Sequence, residues 1–212
     1  MLDSTSLALF VAAALLLAIT PGPGLFYVAA RTLAGGRAEG IASSLGTGLG
    51  GAMHVLAGAL GVSAIVLASA EMFAALKLAG AGYLVWIGLR TIRAARIGPA
   101  PGAVGVPRLG TARAFREGVL VEALNPKTAA FFLAFIPQFV DPARGGVALQ
   151  FILLGSISVL LNTLADIAMA FAAGGLRAGA AARPGLVRRL REASGAGMVA
   201  LGLGLAFARR PG

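Results

Sequence analysis

The chain has 212 residues, 58% of them hydrophobic and 12% charged, with a formal net charge of +10 and no cysteine. A mean hydropathy of +0.88, with about half the charged fraction of a soluble domain, excludes an ordinary globular protein. Basic residues confined to short stretches between apolar runs exclude a nucleic-acid binder and point to a multi-pass membrane protein. Without cysteine there are no disulfides, no thiolate catalysis and no cysteine-ligated metal.

The first apolar run, Thr5–Ala30, follows MLDSTS, which lacks the basic region of a cleaved leader, so it is expected to be a retained span. Inside it lies AITPGPGLFYV, Ala18 to Val28. Pro21 and Pro23 have no amide hydrogen, so the carbonyls of Leu17 and Ile19 lose their helical partners. Thr20 and Gly22 each precede a proline and are pushed out of helical geometry. Gly22 and Gly24 permit close approach. An unsatisfied carbonyl in hydrocarbon costs several kcal/mol, so such a break faces protein or a water-filled cavity. The helix resuming at Pro23 offers free amides and partial positive charge, suited to a carboxylate. Pro21, Gly22, Pro23 and Gly24 are therefore candidate substrate-binding residues.

The second run, Ile41–Ala68, carries Ser43, Thr47, Gly51, His54, Gly58 and Gly61 at helical spacing. Gly46 and Gly50 form a GxxxG pair, the signature of close helix packing. His54 is the single histidine, and imidazole suits proton exchange near neutrality. It is a candidate proton-coupling residue, with a packed, hydrogen-bonded histidine as the plain alternative. The third run, Met72–Leu89, ends with Tyr83 and Trp86 close to Arg90, an aromatic anchor at the inner interface.

Residues 97–114 read as a cytoplasmic linker rich in Pro, Gly and small residues. They divide one membrane domain, 1–212, into three-helix halves at 1–96 and 115–212. The fourth run, Val119–Val140, contains EALNPKTAAFF, Glu122 to Phe132. Pro126 frees the carbonyl of Glu122. Asn125 offers hydrogen bonds to exposed backbone or ligand. Lys127 is a cation inside an apolar span, where charge is expensive and functional unless it snorkels to the headgroups. Asn125, Pro126 and Lys127 join the substrate-binding candidates. Glu122 lies three residues before Asn125, on its face, and five before Lys127, so the two charges do not pair along one face.

The fifth run, Val147–Leu176, sets Ser158, Asn162 and Asp166 at i, i+4 and i+8 in one polar stripe. Asp166 lies too deep to snorkel and is expected to pair, be protonated or face water. Glu122, Asp166 and Asn162 join His54 as proton-coupling candidates. The sixth run, Ala193–Ala208, is short, about 24 Å at 1.5 Å per residue. The expected architecture is all-α, with six spans, or five with a peripheral sixth segment. The first and fourth helices are broken in corresponding places. Three spans per half invert the second half relative to the first, the inverted-repeat plan of secondary transporters.

Arg31 and Arg37, then Arg90 to Arg116, then Arg177 to Arg191 lie between spans one and two, three and four, and five and six. The other side holds Arg144, Arg209 and Arg210. The positive-inside rule places the three basic stretches in the cytoplasm and the N-terminus outside.

ITPGPG (Ile19–Gly24), GTGLGGAMH (Gly46–His54), LKLAGAGYLVWIGLRTIR (Leu76–Arg93) and ALNPKTAAFFLAFIPQFVDP (Ala123–Pro142) together resemble the lysine exporter (LysE) family, which includes the homoserine/threonine (RhtB) exporters. The resemblance spans nearly the whole chain. It implies a multi-pass protein of the bacterial inner membrane that exports amino acids or close derivatives, neutral or basic, by proton antiport. The partners implied are an amino acid, protons or another coupling ion, the bilayer and a second copy in a homodimer, with no cofactor and no nucleic acid. The chain departs from the family pattern in having Gly24 where Asn or Asp is frequent. It has Gly51 where Asp is frequent, and Glu122 where an uncharged residue is common. The alternatives are a divalent-cation exporter, against which there are only two mid-span carboxylates, and an intramembrane enzyme, for which no nucleophile–base motif or HExxH exists. No GxxxxGK[ST] motif is present, so an ion gradient is the expected energy source.

Overall fold

A computed structural model describes residues 4–68, 70–97, 108–175 and 184–207. Among these residues every regular element is helical. Helices α1 (Ser4–Ile19) and α2 (Pro23–Gly35) form one rod bent by 46° at the first proline break. Helices α3 (Arg37–Ala68) and α4 (Ala70–Ile97) follow. Helix α5 (Thr111–Ala123) and the segment Pro126–Phe139 form a second rod, bent by 42°. That segment opens as α6 (Pro126–Ala130), widens to a π-helical turn at Phe131–Phe135 and tightens to 3₁₀ at Ile136–Phe139. Helix α7 (Val147–Gly175) is apolar and long enough to cross a membrane alone, and each bent pair meets the same test as one broken span. Helix α8 (Pro184–Phe207) completes the described fold.

Polarity is inverted relative to a soluble protein. Leu60 and Leu124 are each 79% exposed, while Glu122, Lys127 and Asp166 are 2%, 4% and 1% exposed. Apolar side chains face outward, as hydrocarbon requires, and charge turns inward where partners exist. An aromatic core holds the first rod to the second. Phe10 packs on Phe131, Phe135 and Phe139, with ring centroids 6.4, 6.5 and 5.3 Å away, and Phe131 stacks on Phe135 at 4.8 Å.

Glycine sets the closest approach, between α3 and α5. A Cβ on Gly46 would run into the Phe115 carbonyl, one on Gly50 would stand 2.6 Å from the Val119 carbonyl, and one on Gly118 would stand 2.7 Å from that of Ser43. Hydroxyls on α3 fold back onto their own helix, Ser43 Oγ to Glu39 O at 2.8 Å and Ser44 Oγ to Gly40 O at 3.0 Å. They cost nothing in an apolar setting because each is satisfied. The principal packing partners are α4 with α8, α3 with α5, α3 with α7, α2 with α3, and α7 with both α1 and α2.

Several boundaries differ from the sequence expectation. The fourth segment becomes helical at Thr111 rather than Val119, because Gly110 turns the chain at φ 78° and Glu39 Oε1 accepts from the amides of Leu109 and Gly110 at 3.1 and 3.0 Å. Arg113 and Arg116 thus lie on a helix, Arg113 paired with Glu117 at 2.8 Å. Arg31 is not a loop residue: it sits buried on α2, 3.7 Å from Glu39. Gly36 alone joins α2 to α3, at φ 87°. The sixth helix starts at Pro184, nine residues earlier than the apolar run, and its 24 residues rise about 36 Å. Of the proposed linker, 98–107 lies outside the described residues, as do Arg177, Arg183, Arg209 and Arg210. Tyr83 stacks on Trp86 at 5.6 Å and the Arg90 guanidinium lies 5.6 Å over the Trp86 ring.

Candidate functional site

The two breaks meet in the interior. In the first, α1 ends with Thr20 N bonded to the carbonyls of Leu16 and Leu17 at 3.1 and 3.2 Å, and Thr20 Oγ1 donates to Leu16 O at 2.6 Å. Gly22 is extended and caps α2, with Pro23 at its first position. In the second, Asn125 is extended and its Oδ1 accepts from Lys127 N at 3.1 Å, capping α6. Pro126 occupies the first helical position, where a missing amide hydrogen does no harm.

Each break is filled by a side chain from elsewhere. Lys127 Nζ donates to Leu17 O at 3.2 Å and Thr20 O at 3.0 Å, so the carbonyl orphaned by Pro21 gains a charged donor. Gly22 makes room: a Cβ there would stand 2.9 Å from Nζ. The carbonyl orphaned by Pro126, that of Glu122, accepts from His54 Nε2 at 2.9 Å and from Asn125 N at 3.0 Å. A contact to a carbonyl requires the proton on Nε2. Lys127 therefore does not snorkel, and its ammonium is engaged by backbone carbonyls.

Two carboxyl groups flank the breaks in different settings. Glu122 accepts from Thr128 Oγ1 at 2.6 Å and from Asn125 Nδ2 at 2.9 Å. Its Oε2 also lies against Gly24, where a Cβ would stand 2.6 Å away, so the carboxylate faces the amino end of α2. Asp166 Oδ2 is 2.7 Å from Thr47 Oγ1, which is 2.8 Å from Ser44 O. Thr47 has one hydroxyl proton, and Ser44 O accepts only. Thr47 Oγ1 is the donor toward both, so its one proton is shared between Asp166 Oδ2 and Ser44 O.

Between Glu122, Thr128, Thr47, Ser158 and Asn162 lies a small cavity closed at one side by Phe132. Its free space admits about one water molecule. Of the sequence candidates, Gly22, Gly24, Glu122, Asn125 and Lys127 converge directly. Pro21, Pro23 and Pro126 shape the backbone. His54 acts on the Glu122 carbonyl. Asp166 and Asn162 approach from α7, the first through Thr47 and the second along the cavity wall. Sequence reasoning placed Thr47 only on a packing face and passed over Thr128, whose signal was its single helical turn beyond the break. Among the described residues no three His, Asp or Glu side chains cluster to hold a metal ion.

The LysE type translocator family profile matches residues 15–209. An uncharacterized membrane protein of Pseudomonas aeruginosa is 34% identical over 149 residues, 69% of each chain. An uncharacterized membrane protein of Vibrio cholerae is 30% identical over 155 residues, 73% of this chain and 74% of that one. The homoserine/homoserine lactone efflux protein of Salmonella typhimurium is 30% identical over 151 residues, 69% of this chain and 70% of that one. No solved structure matches.

Proposed function

The chain belongs to the LysE type translocator family, and from that premise we propose that it exports amino acids or close derivatives, homoserine-like in size, across the bacterial inner membrane by proton antiport. It is a transporter of amino-acid-like solutes, not an enzyme. The observation that carries the reading is the meeting of two proline-broken helices around buried charge of both signs, 1% to 4% exposed. Broken helices at mid-membrane are how transporters present backbone dipoles to small charged solutes. The amino end of α2 suits the carboxylate, and the freed carbonyls suit the ammonium. The burial of Asp166, 1% exposed beside the Thr47 hydroxyl, supports it as the proton carrier.

The cavity is too small for an amino acid, so the surrounding helices separate to admit one. The packing supports a rocking motion. The third helical unit of each half, α4 and α8, packs on its counterpart. The second unit of each half, α3 and α7, packs on the other's first. The basic stretches put the α2–α3 joint and the start of α5 at the cytoplasmic face.

The test is efflux from preloaded cells and counterflow in proteoliposomes with a panel of labelled amino acids. Asp166→Asn and the double change Pro21→Ala/Pro23→Ala serve as controls. Specific efflux, lost in both variants, is expected. Folded protein that moves no amino acid would overturn the reading.

A further inference from the structure

The second break inserts two charges of its own into the first. Lys127 sets an ammonium on the carbonyls of Leu17 and Thr20, at the carboxyl end of α1. Glu122 sets a carboxylate against Gly24, at the amino end of α2. The ammonium thus meets the negative end of one helix dipole and the carboxylate the positive end of the next. Those are the two charges of a free amino acid, in the polarity that the break would select.

Fit and burial argue that these charges occupy a site and do more than fill space. The ammonium is held by two carbonyls rather than by the neighbouring carboxylate, although both side chains are buried. Gly22 and Gly24 are the residues that make way for it and for Oε2: a Cβ there would stand 2.9 and 2.6 Å away, and the Lys127 or Glu122 end would have to shift. Lys127 bridges the Leu17 carbonyl, whose helical partner Pro21 removes, and the Thr20 carbonyl at the break.

We propose that the carbonyls of Leu17 and Thr20 form a primary-ammonium site, and that Lys127 is its tethered occupant, displaced by the ammonium of the cargo. This rests on the exporter reading, and it names the cargo: a solute with a primary ammonium, bound more tightly when it also carries a carboxylate to replace that of Glu122. Homoserine satisfies both ends of the break; its lactone satisfies one.

The test reads binding before transport. Purified Lys127→Ala protein in detergent is heated with propylammonium, with tetramethylammonium, or with propanol. Stabilisation by propylammonium that saturates, and that neither of the others gives, is expected. Folded variant with no such selectivity would overturn the site. If Lys127→Ala does not fold, Lys127→Met fills the stem and leaves only the ammonium position open, and ammonium ion replaces propylammonium with the same two outcomes. In wild-type proteoliposomes, counterflow with homoserine is expected at an apparent KM several-fold below that for the lactone. Equal values would overturn the tethered-occupant assignment, even where transport itself is confirmed. Selective stabilisation without any transport would leave the site standing and remove the exporter reading.

Discussion

At the scale of single residues, the glycines of the PGPG motif set the room for the two buried charges. Gly24→Ala would drive a methyl to within 2.6 Å of Glu122 Oε2, and Gly22→Ala one to within 2.9 Å of Lys127 Nζ. Both are expected to lower efflux at least about tenfold, since displaced reacting geometry is costly. Gly61→Ala, where a Cβ meets nothing within 4 Å, is expected to be neutral in the same assay. Thr47→Val removes the hydroxyl shared between Asp166 and Ser44 and is expected to cost about 1–3 kcal/mol, read as a fall in the unfolding midpoint in detergent. Residue identity told much of this in advance. Proline, glycine and buried charge announce themselves, so Pro21, Gly24, Glu122, Lys127 and Asp166 were legible. Direction was not. Whether Lys127 faced headgroups, a ligand or carbonyls depends on which helix lies opposite, and spacing along one chain does not encode that.

At the scale of elements, both breaks were legible because a missing amide hydrogen is a local fact. The start of α5 was not. TARAFREG reads as loop by its charge, yet Ala114 and Gly118 are buried against α3, and Tyr27 Oη donates to Ala114 O at 3.0 Å. Packing overrode polarity there. The π-helical turn at Phe131–Phe135 also escaped notice. Its cue, Pro137, lies four residues beyond the turn's centre, and Gln138 Nε2 mends the ladder by donating to Ala134 O at 3.2 Å. Two predictions belong here. Gly46→Ala or Gly118→Ala forces α3 and α5 apart, and overpacking of this kind costs about 1–3 kcal/mol, measurable by thermal or detergent titration. Pro21→Ala/Pro23→Ala restores helical hydrogen bonds across the break, so the protein is expected to be at least as stable as the parent while its efflux is lost.

For the whole molecule, the relevant quantity is how one half moves against the other. Glu39 ties the start of α5 to the joint between α2 and α3, through two backbone amides and Arg31. Glu39→Ala is expected to raise protease cleavage near Leu109 and to slow transport without changing which solute is carried. Asp166→Asn is expected to keep counterflow, an exchange that needs no net proton movement. It should abolish uphill efflux driven by an imposed pH gradient. The two proline breaks and the Pro/Gly-rich stretch between the third and fourth runs suggested a three-per-half plan from sequence alone. The pairing of α4 with α8 was not, because nothing in either apolar run names its partner. The cavity, with room for about one water, bears on the economy of the cell. On the antiport reading, a carrier that stood open between cargoes would short-circuit its own driving gradient and spill the metabolites it meters. With Lys127 and Glu122 seated between the broken helices, the same reading makes the idle protein an insulator, of which a membrane can hold many copies without loss.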